Sequence, residues 1–498
     1  MLFNSYVFVA VFLPLALAGF AAAGGIGRST ATGWLIAMSL LFLGWWKADF
    51  VVLLLISIVG NYLIAMAIWR AGPRVRTAIL AAGITGNLAA LIWFKYLAAI
   101  FGALRDLGLA IPAFADPVLP LGISFFTFTQ IGFLLDCRDG TEARRGLLDY
   151  ALFVTFFPHL IAGPVLNSRD ILPQLDTPAT WRLSPANIAV GLGFFLIGLL
   201  KKTMLADPLS AVAAPGFAAP EALTLLEAWR AALSWALQLY FDFSGYSDMA
   251  IGVARMFNIR FPVNFDSPYK AQSVIEYWQR WHMSLTRFLT GTLYTPLAMA
   301  VMRYRRGRGW RTDRTGQRTL GGFASMIALP TVVTMGLAGV WHGSGLTFLV
   351  FGLLHALFLG VNHAWRLFRR GPPSSRRVAI AGRVLLTFLC VLLGAIVFRA
   401  PTLGAAANLL VGMAGGHGIV LVPDDPGHAV LAIVWLGALF ALVWAGPNSQ
   451  QIMREAAAMS PAWMLWRPNL AWAVAFGCAA TLGLMSIGGT GEFLYFQF

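Results

Sequence analysis

The sequence predicts an all-α, polytopic integral membrane protein, and three observations carry that prediction. Hydrophobic residues make up 58% of the 498 and charged residues only 11%, with a mean hydropathy of +0.73. A soluble globular chain carries about 25% charge. Apolar stretches recur along the whole length, near 2–24, 33–46, 50–69, 78–102, 117–135, 147–164, 186–200, 224–254, 321–341, 344–365, 380–398, 429–446 and 470–490. At about 20 residues per crossing these give roughly ten to thirteen transmembrane helices. The basic residues, finally, gather in short loops between those stretches.

The elements follow in chain order. The first segment is apolar from its second residue and has no Lys or Arg before Arg28, so it lacks the basic lead of a secretory signal. Ala21-Ala22-Ala23 resembles a cleavage site, but the segment is expected to be retained. Residues 1–140 read as straightforward spans, and residues 321–498 as long ones. Residues 141–300 mix Pro, Gly, aromatic and polar residues into apolar sequence. No repeat and no linker divides the chain, so residues 1–498 are read as one membrane domain.

Within the middle zone, Phe156 to Pro164 is apolar but broken by Pro158, Gly163 and Pro164. Such backbone survives at membrane depth only when buried in protein or lining a cavity, which predicts a re-entrant element. In Tyr240 to Met249, Asp242 and Asp248 interrupt an apolar helix pattern. An unpaired Asp near the bilayer centre costs about 2.5–3.5 kcal/mol, so both are expected to face inward, paired with a cation or a backbone donor. The apolar residues of 273–289 recur at helical spacing, predicting one amphipathic helix with His282 on the apolar stripe and Arg280 and Arg287 near headgroups. From Gly321 to Trp365, 45 residues pass without one Asp, Glu, Lys or Arg, and His342 sits among them. An ionisable group placed there points to function, and imidazole is the side chain suited to proton exchange near neutral pH.

The net charge of +15 does not indicate nucleic acid. Seven arginines lie between Arg303 and Arg318 and six between Arg366 and Arg383, the pattern of cytoplasmic loops. They also suit anionic lipid or an anionic donor such as a coenzyme A ester. Loop 401–428 has no Lys or Arg but carries Asp424 and Asp425, and is expected to face outward, as is the N-terminus. Cys137, Cys390 and Cys478 are too widely spaced for a metal or redox motif. Likewise there is no His-Glu-x-x-His pair, phosphate-binding Gly-rich loop or Gly-x-Ser-x-Gly elbow.

Several stretches in order resemble the membrane-bound O-acyltransferases (MBOAT). They are the opening Met1-Leu2-Phe3-Asn4-Ser5-Tyr6, then Leu119 to Phe128, Phe157 to Pro164, Phe241 to Asp248 and Phe261-Pro262-Val263-Asn264-Phe265. The most telling are Tyr277-Trp278-Gln279-Arg280-Trp281-His282 and Gly339-Val340-Trp341-His342-Gly343. Within the family the likeness is to the bacterial branch of alginate O-acetylation and teichoic acid D-alanylation. It implies helices around a central tunnel, with His342 as catalytic base and His282 near the same tunnel. Trp341, Trp278, Arg280, Asp242, Asn264 and His159 are expected along the substrate path, and His355 and His363 as packing or hydrogen-bonding groups.

Transfer from a thioester to a hydroxyl needs a base, an oxyanion donor and a dry route, but no metal or redox cofactor. The resemblance therefore implies an O-acetyltransferase of the bacterial inner membrane. Its donor would be cytoplasmic acetyl-CoA and its acceptor an exported, alginate-like polysaccharide. A secreted, esterase-like (SGNH-type) partner would finish the transfer. Peptidoglycan, cellulose and teichoic acid are alternative acceptors. The rival from another class is a proton-coupled transporter, but transporters usually carry repeated topology, and none is visible.

Overall fold

The computed structural model describes residues 1–109, 117–141, 144–369, 371–420, 426–455, 462–488 and 493–494. Asp424 and Asp425, on which the outward loop was argued, lie outside the described residues. Every regular element among the described residues is helical. Seven helices are long and apolar enough to cross a membrane: Phe8–Ile26, Ala48–Arg70, Pro73–Lys95, Pro185–Ala218, Leu320–His342, Leu346–Phe368 and Arg377–Arg399. Leu403–Met413, Val430–Ala445 and Leu470–Met485 are shorter apolar helices.

The remaining apolar stretches are helical without meeting those criteria. Arg28–Gly44 and Ile123–Asp139 stop at 17 residues each. The latter is bracketed by Gly122 and Gly140, both in the left-handed region that glycine adopts without penalty. Leu147–Thr155 breaks after nine residues, at Phe156. Leu225–Met256 is long, at 32 residues, but carries Glu227, Arg230, Asp242, Asp248 and Arg255.

By its internal contacts the chain divides into two compact units. The first comprises Met1–Thr203, Gly245–Val263 and Pro468–Gly489. Its core is aromatic: Phe3, Phe8, Phe12, Phe42 and Phe157 pack with ring centroids 4.9–6.3 Å apart. A glycine seam joins two of its helical segments. Gly191 and Gly198, seven residues apart, face Gly252 and Gly245, also seven apart. A Cβ on Gly252 would stand 2.4 Å from the Gly191 carbonyl oxygen, and one on Gly198 2.4 Å from that of Gly245. Small residues allow this approach, which gains dispersion contact where lipid offers no hydrophobic drive. Some of its inward-facing polar groups pair with one another. Asn61 and Asn87 exchange amide hydrogen bonds, and Lys201 Nζ lies 2.6 Å from the Asp248 carboxylate. The Phe156–Pro164 stretch is a buried, one-turn helix, Phe157–Leu160, followed by irregular backbone.

The second unit comprises Met204–Ser244, Asn264–Arg467 and Thr490–Phe498. At its centre is a helical hairpin, Leu329–His342 and Leu346–Phe368, turned through Gly343-Ser344-Gly345. Gly339 and Gly352 let the arms touch: a Cβ on Gly352 would meet the Met335 carbonyl oxygen at 2.2 Å. His342 therefore ends one arm at the turn, and His355 rides the other.

Candidate active site

The predicted amphipathic helix over 273–289 is two short helices, Val274–Trp278 and Met283–Leu289. Ser273 caps the first, accepting from Glu276 N–H. The stripe breaks at His282, whose backbone is left-handed at φ 44°, ψ 52°. This region is rare outside glycine and costs on the order of 1–3 kcal/mol, and such strain gathers at functional sites. A distant residue holds the corner. Asn264 accepts at its backbone oxygen from Met283 N–H at 3.0 Å, while its side-chain Oδ1 accepts from Ser284 Oγ at 2.9 Å and from Ser284 N–H at 3.3 Å. The same Oδ1 lies 3.0 Å from His282 Nδ1. With Asn264 Oδ1 fixed as an acceptor, Nδ1 carries the imidazole proton and Nε2 is the acceptor nitrogen. His282 lies outside the seven long apolar helices and is 1% exposed; burial pushes its pKa down from 6.5 to about 3, favouring neutral imidazole.

His282 and His342 line one cavity of about 40 Å³. That is room for only two or three waters. The walls are aromatic. Phe243 meets the His282 ring edge to face at 4.7 Å, and Phe398 and Phe351 meet His342 the same way at 5.1 and 5.9 Å. Trp281 and Tyr277 stack at 5.7 Å and also face the cavity. Trp341 does not line it but lies beside both histidines, 6.4 Å from the His282 ring and 4.7 Å from that of His342.

The other expected residues divide. Trp278 lines the cavity, and its indole N–H donates to His355 Nδ1 at 3.2 Å. Asn264 stands behind His282 rather than on the cavity wall. Asp242, fully buried, accepts from the backbone N–H of Leu494 at 3.2 Å. Arg280 is engaged by Glu276 at 2.9 Å and Asp266 at 3.6 Å, so it serves an ion-pair network away from the lining. His159 belongs to the first unit, with Nε2 2.9 Å from the Phe153 carbonyl oxygen. His355, read from sequence as a packing or hydrogen-bonding group, lines the cavity with the other two histidines, as do Trp281 and Phe243, which the sequence offers only as members of motifs. The signal for His355 was present, since it lies in the same uncharged stretch as His342.

Comparison with known proteins matches this arrangement to a family. The model of the membrane-bound O-acyltransferase family matches residues 135–310, a stretch that includes Asn264 and His282. The peptidoglycan O-acetyltransferase of Helicobacter pylori is 34% identical, covering 84% of this chain and 81% of its own. The probable alginate O-acetylase AlgI of Pseudomonas aeruginosa is 36% identical, covering 83% and 75%. More distantly, the teichoic acid D-alanyltransferase of Bacillus subtilis is 26% identical, covering 56% and 68%. With its all-helical, multi-pass build, the chain belongs to the membrane-bound O-acyltransferase family and is an acyltransferase.

Proposed function

We propose that the chain is an O-acetyltransferase of the bacterial inner membrane that moves acetyl groups from cytoplasmic acetyl-CoA toward an exported, alginate-like polysaccharide. The observation that carries this reading is the convergence of His282 and His342, from two distant segments, on one narrow aromatic cavity. The likeness to an alginate O-acetylase supports the acceptor class. A second reading, peptidoglycan as acceptor, is favoured by the likeness to a peptidoglycan O-acetyltransferase at comparable coverage. Whether the accepting hydroxyl belongs to the glycan itself or to a secreted, esterase-like partner, the chemistry here is the same.

In the proposed reaction, neutral His342 takes the proton of the accepting hydroxyl as its oxygen attacks the thioester carbonyl. The C–O bond forms, the carbonyl becomes an oxyanion, and the C–S bond then breaks. The departing thiolate recovers the proton from His342, so both products leave neutral at that step. His282 positions the donor, its Nδ1 fixed by Asn264 so that Nε2 is the nitrogen offered to it. The aromatic walls limit water, which would otherwise hydrolyse the thioester.

The test is coenzyme A release and acetyl transfer from labelled acetyl-CoA by purified protein in nanodiscs. Wild type should turn over, and His342→Ala should not, with its melting transition unchanged. Wild-type rates in His342→Ala would end the proposal.

A further inference from the structure

A second pocket in the same unit faces the opposite chemical requirement. It measures about 410 Å³ and is lined by Gln272, Ser273, Glu276, Asn362, Trp365 and Pro373 together with Arg366, Arg369 and Arg383. That size is within the range of about 300–1,000 Å³ usual for small-molecule sites. Its charge is unbalanced. Among the described residues none of the three arginines has a carboxylate partner: Arg366 donates to Ser273 Oγ at 3.1 Å, and Arg383 to Gln272 Oε1 at 2.8 Å and the Ser374 carbonyl at 3.0 Å. Arg369 Nε is buried and has no hydrogen-bond partner. The one acid on the wall, Glu276, is occupied by Arg280 and by the backbone N–H of Gln272.

Two guanidinium groups held by neutral acceptors and a third with a buried N–H unmatched, all around a ligand-sized space, describe a site built for an anion. Arginine forks suit phosphate oxygens because two N–H groups meet two oxygens at once. We propose that this pocket binds the phosphate groups of a phosphate ester. Two ligands share that chemistry: the phosphorylated nucleotide end of a coenzyme A thioester and the headgroup of an anionic phospholipid. Occupancy is independent of which acceptor the enzyme serves, so it is read by binding rather than turnover.

The experiment uses full-length protein in phospholipid-free detergent. One arm titrates adenosine 3′,5′-bisphosphate by calorimetry. The other measures retention of dioleoylphosphatidylglycerol against dioleoylphosphatidylcholine by native mass spectrometry. Binding of the bisphosphate identifies a nucleotide-end site, and selective retention of the glycerol lipid a headgroup site. In either case Arg369→Gln and Arg383→Gln should each weaken the bound probe about tenfold or more, as expected for a lost hydrogen bond to a charged group. His342→Ala should bind like wild type, which separates this site from the acyl-transfer reading. Should the two variants misfold, Arg366→Gln, at an exposed side chain with one hydrogen bond, takes their place. No binding in either arm, or equal binding by wild type and a folded variant, overturns the proposal.

Discussion

The cavity shared by His282 and His342 and the pocket beside Arg383 lie in one unit and differ in nearly every respect. The first holds about 40 Å³ behind rings of Phe243, Phe351 and Phe398; the second offers about 410 Å³ edged by three arginines. A base must stay neutral to accept a proton, and a thioester must be kept from water; a narrow, aromatic cavity suits both demands of the proposed reaction. A charged group must be met by charge and remain reachable, so the second is wide and basic. Under the two proposals above, chemistry belongs to the first and recognition to the second.

Substitutions can break or sharpen that division. The largest effect is expected at His342: His342→Ala should lower transfer about 10²–10⁴-fold, the range for a lost general base, with an unchanged melting temperature. Next comes Asn264→Ala, which leaves the Ser284 hydroxyl and His282 Nδ1 without their buried acceptor. It should cost about 1–3 kcal/mol in a thermal melt and lower kcat more than it raises KM. If kcat is untouched while stability falls, His282 has no share in the chemistry. Gly394→Ala should follow, because its Cβ would lie 2.4 Å from His355 Nε2. Overpacking there is expected to cost about 1–3 kcal/mol, and the displaced ring would release Trp278; a rise in acetyl-CoA hydrolysis without acceptor is the readout.

The smallest effect is expected at Arg280. Its pairs with Glu276 and Asp266 involve partly exposed side chains, so Arg280→Ala should cost about 0.2–1 kcal/mol and vanish into the error at high salt. Transfer should be unchanged. A loss of activity to match His342→Ala would move Arg280 from the ion-pair network to the reaction.

What was legible in the sequence follows physical locality. The helical spans could be read because each is a run of neighbours with one solvent preference. His342 could be read because no other ionisable group but the histidines stands within its 45-residue stretch. Asn264 is expected on the substrate path only through the family resemblance, since nothing local tells that its oxygen would sit 3.0 Å from a ring 18 residues on. The helix predicted over 273–289 failed for the same reason. Its apolar spacing suits a continuous helix, and only the distant capture of Ser284 and Met283 by Asn264 bends the chain at His282. The arginine cluster was visible as a basic loop, but not that Gln272 and Ser273 would join it as a pocket wall.

Under the proposed function, the left-handed backbone at His282 sets stability and catalysis against each other at one position. Asparagine and glycine occupy that conformation more readily than an imidazole-bearing residue. A directed-evolution campaign scored on heat resistance alone should therefore drift toward those two residues at 282, and one scored on product should drift back. Sequencing the survivors of both would show the enzyme's requirement as a disagreement between two selections.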